Sequence, residues 1–171
     1  MNIPEIYAYL VRARRDLWTT LEAVPDEVLS SPLLEGSRLH CIKDLVMHIA
    51  DVEDGWTRGD ILRDQMVQKD FPALMNTEGG PVYAGFSLEM LLDYWRAVEQ
   101  STLTYLATLT DDELKRLVNM DDWPEERHTV DELLWHVMIH EMRHTAQIAA
   151  LLRSQGIKPP SLDLLNYLPS A

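Results

Sequence analysis

Three histidines recur at four-residue spacing near the end of the chain, at His136, His140 and His144. On an α-helix, residues four apart lie on the same face, about one turn from each other. The spacing therefore predicts a ridge of three imidazoles. Histidine is the commonest metal ligand among the side chains, and two imidazoles one turn apart can bind the same ion. The chemistry that this pattern indicates is metal binding on a helix.

The two ends of the ridge are too far apart to share one ion, because His136 and His144 are separated by ~12 Å along a helix. An adjacent pair must bind it, and the spacing alone leaves His136 with His140 and His140 with His144 as equal choices. A third ligand must then come from another element. His48 is the candidate, since it lies on the apolar stripe of another predicted helix, where an unsatisfied imidazole is costly. The alternative for His48 is a core imidazole that is hydrogen-bonded to a carbonyl.

The segment His140-Glu-Met-Arg-His144 also matches the HExxH motif of zinc proteases, in which Glu141 would be the general base. Such proteases need a substrate-binding strand, and the sequence shows no alternating strand pattern. We therefore expect Glu141 to be a carboxylate that is either solvated or packed behind the metal ligands. Metal-dependent hydrolysis is kept as a minor alternative.

The composition is that of one acidic globular domain. The chain has 171 residues, 46% of them hydrophobic, and a net charge of −13 from 28 acids and 15 bases. Nucleic-acid binding needs clustered basic residues, and the densest basic group, at residues 12–15, is offset by nearby acids. The apolar runs are too short to span a membrane, and the first residues lack a signal-peptide pattern. Cys41 is the only cysteine, so we expect no disulfide and a cytoplasmic location. From the basic residues and the short apolar runs we expect no nucleic-acid or membrane partner.

Four segments show the three- and four-residue hydrophobic spacing of amphipathic helices. They are bounded by Pro4 and Pro25, by Cys41 and Leu62, by Ser87 and Leu109, and by Thr129 and Gly156. A shorter helix is expected from Thr110, and no hairpin signal is present. The pattern predicts an all-α four-helix bundle that occupies residues 1–171 as a single domain.

A long connection rich in glycine and proline, residues 63–86, joins the second and third predicted helices. It is longer than an antiparallel pair of helices needs. At up to ~3.3 Å per residue it could run back along a helix of roughly 30 Å. We therefore expect a crossover, which makes these two helices parallel and gives an up-down-down-up bundle.

Four groups of residues together carry a specific resemblance, although each alone would be weak. They are Asp44-Leu-Val-Met-His48-Ile-Ala-Asp-Val-Glu53 with Trp56; Leu88-Glu-Met-Leu-Leu-Asp-Tyr-Trp95 after Ser87; His136 through Gln147 with Leu151-Leu-Arg153; and Gly156-Ile-Lys-Pro-Pro-Ser-Leu-Asp163 with Tyr167. In combination they resemble the DinB/YfiT-like superfamily of bacterial four-helix metalloenzymes. The resemblance covers nearly the whole chain.

In that superfamily the metal ligands are one histidine of the second helix and the last two histidines of the fourth. The resemblance implies that His48, His140 and His144 bind one divalent ion. Imidazole ligands suit Zn, Ni, Cu or Fe, and we expect Zn or Ni. It places His136 behind the ligands or in the pocket lining, and we expect Trp123, in an acidic loop, at the pocket rim. The chain has Arg-His-Thr-Ala-Gln at residues 143–147, where the superfamily often has His/Tyr-His-Arg-Gly-Gln.

Three neutral imidazoles leave at least one position of a bound ion open, which is typical of catalytic sites. An ion of this kind can activate a bound water or hold a thiol as thiolate, so no side chain needs to be the nucleophile. Characterised members of the superfamily include thiol transferases that use bacillithiol or mycothiol. The resemblance implies a metal-dependent enzyme that transfers a small thiol to an electrophile. The alternative is a non-catalytic stress protein that binds a metal or small ligand and could form a homodimer.

Overall fold

Helices dominate the computed structural model, which describes residues 1–75, 83–120 and 125–168. The helices are α1 (Ile3–Glu22), α2 (Asp26–Ser30), α3 (Ile42–Asp54), α4 (Leu88–Leu106), α5 (Asp111–Lys115) and α6 (Val130–Ser154). The four long ones, α1, α3, α4 and α6, correspond to the four predicted segments, although α1 begins one residue earlier than predicted, and α5 is the predicted short helix after Thr110. The predicted helical fold class is confirmed. None of the helices in these ranges is long and apolar enough to cross a membrane.

Side-chain caps fix where the long helices begin. At the start of α1, Asn2 accepts from the backbone amide of Glu5 while the Glu5 carboxylate accepts from the amide of Asn2. Thr129 and Glu132 form the same reciprocal pair at α6, and Ser87 caps α4. These bonds satisfy amides that have no partner within a helix. The predicted starts of the third and fourth long helices are confirmed.

The second predicted helix has two parts. The α-helical part, α3, is followed directly by a π-helix at Gly55–Ile61. Together the two parts come within a residue of each predicted end. π-helical turns are rare and recur at functional sites. Here the π-helix carries Trp56, whose ring packs edge-to-face on His136 with 5.1 Å between centroids.

Side-chain contacts show that α3 and α4 run in the same direction. Near the start of α3, Lys43 Nζ donates to the carbonyl of Ala84, just before α4. Beyond the end of α3, Arg58 donates to Ser101, near the end of α4. These contacts agree with the predicted parallel arrangement of the two helices, and the up-down-down-up order stays a prediction. Part of the connection between them lies outside the described residues, and the rest contains short 3-10 turns at Val67–Asp70, Pro72–Leu74 and Tyr83–Gly85.

A small antiparallel ladder precedes α6. Strand β1 (Leu117–Asn119) pairs with β2 (Arg127–Thr129), with Val118 opposite His128. The expectation of a chain without any sheet was wrong here. Each strand has only three residues, which is too short for the sequence to show an alternating hydrophobic pattern.

The core consists of two hydrophobic clusters stacked along the bundle. One contains Trp18, Leu45, Trp95 and Leu152, and the other contains Ile3, Leu10, Ile61 and Leu133. Between them the long helices contribute buried polar side chains, which include Arg14, Glu53, Glu99, His140, Glu141 and His144. We call this level of the bundle the polar layer, and the candidate site lies in it.

Candidate metal centre

Three imidazoles from two helices converge in the polar layer. His48 comes from α3, and His140 and His144 come from consecutive turns of α6. One ring nitrogen of each lies within 4.8 Å of the others, and the Nε2 atoms of His48 and His140 are 3.0 Å apart. Two nitrogens on a tetrahedral ion, each at ~2.0–2.1 Å, would be ~3.3 Å apart. The three histidines could therefore hold one metal ion.

His136, the first residue of the ridge, lies apart from this group. Its ring centroid is 6.1 Å from that of His140, whereas the rings of His140 and His144 are 4.3 Å apart. His136 is exposed, while His140 and His144 are only 6% and 7% exposed. Of the two pairs that spacing left open, the structure brings His140 and His144 together with His48.

Gln147 orients the ring of His144, a contact that the spacing argument did not anticipate. The Nδ1 atom of His144 lies 2.6 Å from Oε1 of Gln147. This bond requires the proton on Nδ1, so the lone pair of Nε2 is left for a metal. Metal-binding histidines commonly use their second nitrogen in this way. The available signal was the position of Gln147, three residues after His144 on the same helix.

Burial keeps the three imidazoles neutral. It is the largest cause that lowers the pKa of His48 to about 4 and that of His140 to about 3. The neighbouring ring of His144 and the charge of Arg143 lower both pKa values further. Burial also lowers the pKa of His144, against the opposing effect of its bond to Gln147. Neutral imidazoles offer their lone pairs to a metal without first releasing a proton.

The comparison with known protein families agrees with this site. The sequence model of the DinB family matches residues 1–171, the whole chain. The chain belongs to the DinB family. No curated protein sequence matches it. The family is metal-associated, and three histidines of this chain could hold one metal ion.

In this DinB-family protein a cavity of about 370 Å³ adjoins the histidine ridge on its His136 side. Trp56, Met120, Leu133 and His136 are among the residues that line it, and Glu126, His128 and Glu132 add polar groups. The size suits a small organic ligand. Trp123, which we expected at the pocket rim, lies outside the described residues.

Glu141 belongs to a buried charge cluster and is not solvated. Nε and Nη2 of Arg14 donate to its two carboxylate oxygens, each at 2.6 Å. Arg14 also donates to Glu53 at 2.8 Å and to Glu99 at 3.1 Å. All four side chains are at most 3% exposed. The solvated alternative for Glu141 was wrong, and its carboxylate is paired with Arg14 instead of being free to act as the base that the HExxH motif requires.

We define the Arg14 cluster as Arg14 with Glu53, Glu99 and Glu141, and two further side chains contact its edge. The hydroxyl of Tyr7 donates to Glu53 and accepts from Arg14 at 3.2 Å. Arg15, which is about half exposed, donates to Glu99. The sequence does not indicate this cluster, because residues 12–15 have the composition of a surface basic stretch. The carboxylates that surround Arg14 come from three other helices.

Proposed function

We propose that this DinB-family protein is a metal-dependent enzyme that activates a low-molecular-weight thiol and transfers it to an electrophile. The observation that carries the proposal is the convergence of half-buried His48 with buried His140 and His144, whose ligand atoms lie within 4.8 Å of one another. Three neutral ligands leave the full charge of a divalent ion in place. That charge favours an anionic further ligand, such as a thiolate. Imidazole ligands suit several metals, and Zn or Ni is our proposal.

A divalent ion bound here would hold a thiol in its thiolate form at neutral pH. In the proposed reaction the thiol proton leaves to solvent and the sulfur forms a bond to an electrophilic carbon. The leaving group departs with the electron pair of the broken bond. The three histidines hold the ion, and Gln147 keeps the His144 ring in place through Nδ1. The cavity beside His136 offers space for the electrophile.

Cys41, the one cysteine of the chain, is poorly suited to be the nucleophile itself. It precedes α3 and lies about two helical turns from His48, and it is only 1% exposed. Burial raises the pKa of its thiol to about 11. At neutral pH this thiol is protonated and therefore a weak nucleophile. We therefore propose that a bound low-molecular-weight thiol is the nucleophile.

A conjugation assay tests this function. The protein, either metal-free or loaded with Zn or Ni, is mixed with 1-chloro-2,4-dinitrobenzene and with bacillithiol, mycothiol, glutathione or coenzyme A. We expect the loaded protein to accelerate conjugation of at least one thiol, and we expect no acceleration by the metal-free protein or by His144→Ala. Cys41→Ala should retain the activity, which makes it the matched control.

Two results would contradict the proposed mechanism. One is activity that does not depend on metal, and the other is loss of activity in Cys41→Ala while its metal content is unchanged. Stoichiometric metal binding without turnover of any thiol would favour the non-catalytic alternative, a protein that binds a metal or small ligand.

A further inference from the structure

The three ligand histidines come from two helices, so the metal site depends on how α3 is placed against α6. His48 lies on α3, whereas His140 and His144 lie on α6, and the Nε2 atoms of His48 and His140 are 3.0 Å apart. The ligands of a metal site must be held within about 0.5 Å of the productive geometry. Apolar packing is non-directional and does not by itself fix a spacing so closely. A directed bond between these two helices would therefore matter for metal binding.

One nitrogen atom of Arg14 links the two helices. Nη2 of Arg14 donates to Oε2 of Glu53 on α3 at 2.8 Å and to Oε2 of Glu141 on α6 at 2.6 Å. In the part of the chain that the structure describes, the only side-chain hydrogen bond that runs directly from α3 to α6 is the one between His48 and His140. The Arg14 bridge, which we define as Arg14 with Glu53 and Glu141, is thus a polar link between these helices that involves no metal ligand.

Both carboxylates of the bridge lie near the ligands along their own helices. Glu141 directly follows His140, and Glu53 comes five residues after His48, a rise of ~7.5 Å along α3. The side chains of the bridge are at most 3% exposed, so water does not compete for these bonds. Bonds between a guanidinium and a carboxylate are strong and have a defined planar geometry. The bridge can therefore hold α3 and α6 at one spacing beside the site.

The remaining carboxylate of the Arg14 cluster offers a comparison. Nη1 of Arg14 donates to Glu99 at 3.1 Å, and the side chain of Glu99 is fully buried. Glu99 lies on α4, which carries none of the three ligand histidines. Its bond to Arg14 therefore stabilises the bundle without connecting the two helices that carry the ligands.

We propose that Arg14 is a positioning residue for the three-histidine site and that it acts through Glu53 and Glu141. The bridge keeps the imidazole of α3 converged with the pair on α6 before a metal is bound. This inference rests on the metal site of the proposed function, and it does not require thiol transfer. A purely structural role would make the three carboxylates around Arg14 equivalent, whereas a positioning role distinguishes Glu53 and Glu141 from Glu99.

Matched glutamine variants test this role. Glu53→Gln, Glu141→Gln and Glu99→Gln each remove one buried charge, and a glutamine accepts hydrogen bonds through only one of its two terminal atoms. We expect the first two variants to bind Zn²⁺ about tenfold more weakly than the wild type, the low end of the range for groups behind metal ligands. Glu99→Gln should bind it as the wild type does. Chelator competition measures the affinities, and thermal midpoints of the metal-free proteins verify that each variant is folded.

Aspartate variants separate the position of the carboxylate from its charge. Glu141→Asp keeps the charge, but its side chain is one methylene shorter and reaches Arg14 poorly. We expect Glu141→Asp to weaken Zn²⁺ binding as Glu141→Gln does, and we expect Glu99→Asp to leave it unchanged. Wild-type affinity in Glu141→Asp would overturn the proposal, because the lost charge alone would then explain the glutamine result.

The visible absorption of the Co²⁺-loaded protein gives a readout that a change in stability does not move, because it reports the coordination geometry. We expect an altered spectrum in Glu53→Gln and Glu141→Gln and the wild-type spectrum in Glu99→Gln. Spectra and affinities that change equally in all three variants, or in none, would overturn the proposal.

The same measurements distinguish this proposal from the proposed function. Failure of the wild type to bind Zn²⁺ or Co²⁺ would overturn both. Zinc binding with the expected difference among the glutamine variants, but without turnover of any thiol, would support the positioning role of Arg14 and contradict thiol transfer alone.

Discussion

The Arg14 cluster and the three-histidine site occupy the same polar layer and differ in how their atoms are satisfied. Around Arg14, a buried cation donates to carboxylates at 2.6–3.1 Å, so charges of opposite sign are paired inside the protein. At the histidines, three neutral rings approach one another, and the part of the chain that the structure describes adds no carboxylate to that group of ligand atoms. Buried polar groups that are fully paired with one another stabilise the fold. Several ring nitrogens that converge without such partners indicate a site for a ligand.

The largest difference between the two regions should come from removing the central imidazole. His140→Ala leaves one ligand on each of α3 and α6, and we expect stoichiometric metal binding to be lost. His136→Ala should weaken binding by at most ~10–100-fold, as expected for a residue outside the ligand set. Chelator-competition titration measures both variants. Metal binding that survives His140→Ala and is lost in His136→Ala would refute the ligand assignment.

In the Arg14 cluster, removing the cation should mainly lower the free energy of unfolding. Arg14→Met leaves Glu53, Glu99 and Glu141 buried without their shared partner, and we expect a loss of about 3–5 kcal/mol in the free energy of unfolding. Urea denaturation at pH 7 measures it. Arg15→Gln is the control, since its half-exposed ion pair should contribute at most about 1 kcal/mol. Equal losses in the two variants would show that burial does not distinguish these arginines.

A smaller effect is expected at Gln147, which supports the site without being a ligand. Gln147→Leu removes the acceptor for Nδ1 of His144 and should weaken metal binding by ~10-fold or more. Gln147→Glu keeps an acceptor and should restore affinity to at least the wild-type value. Thermal stability of the metal-free protein should change little in either variant, because Gln147 is exposed. Identical losses of affinity with Leu and Glu would rule out this orienting role.

The smallest effect at neutral pH concerns the metal-free protein and emerges only on acidification. The ordinary histidine pKa is 6.5, and in the folded state it falls to about 4 for His48 and about 3 for His140. Below pH 6.5 the unfolded chain binds protons that the folded chain does not, so the free energy of unfolding falls with pH. The contribution is fully present above pH 6.5 and is lost progressively down to about pH 4 for His48 and about pH 3 for His140.

Thermal midpoints between pH 7.5 and 4.5 measure this dependence without metal. His48→Asn and His140→Gln should each show a shallower decline than the wild type. His40→Gln removes an exposed imidazole and should follow the wild-type curve. Parallel curves for all of these proteins would mean that the site imidazoles do not titrate in this window.

The helices and the imidazole ridge could be predicted because their signals are local. Hydrophobic spacing and caps such as Thr129 with Glu132 are set by residues three or four apart, and so is the ridge of His136, His140 and His144. The choice of pair required a second helix. It came from the superfamily resemblance, and the structure brings His48 to the same pair.

The Arg14 cluster could not be predicted, because its contacts are remote in sequence. Arg14 is 39 residues from Glu53, 85 from Glu99 and 127 from Glu141. The segment that contains Arg14 and Arg15 has the composition of a solvent-facing stretch, and only tertiary packing buries Arg14. The π-helix after α3 was missed for a related reason, since it differs from an α-helix in backbone winding and not in hydrophobic pattern.

The Arg14 cluster also constrains how the chain can fold. Its cation on α1 is satisfied by carboxylates from α3, α4 and α6, so each pair of helices docked without the others would bury an arginine or a glutamate with bonds missing. An assembly of fewer than four helices is therefore unfavourable in free energy, and docking is most favourable when all four helices pack together. The same arginine that sequence composition would leave on the surface makes assembly of the bundle cooperative.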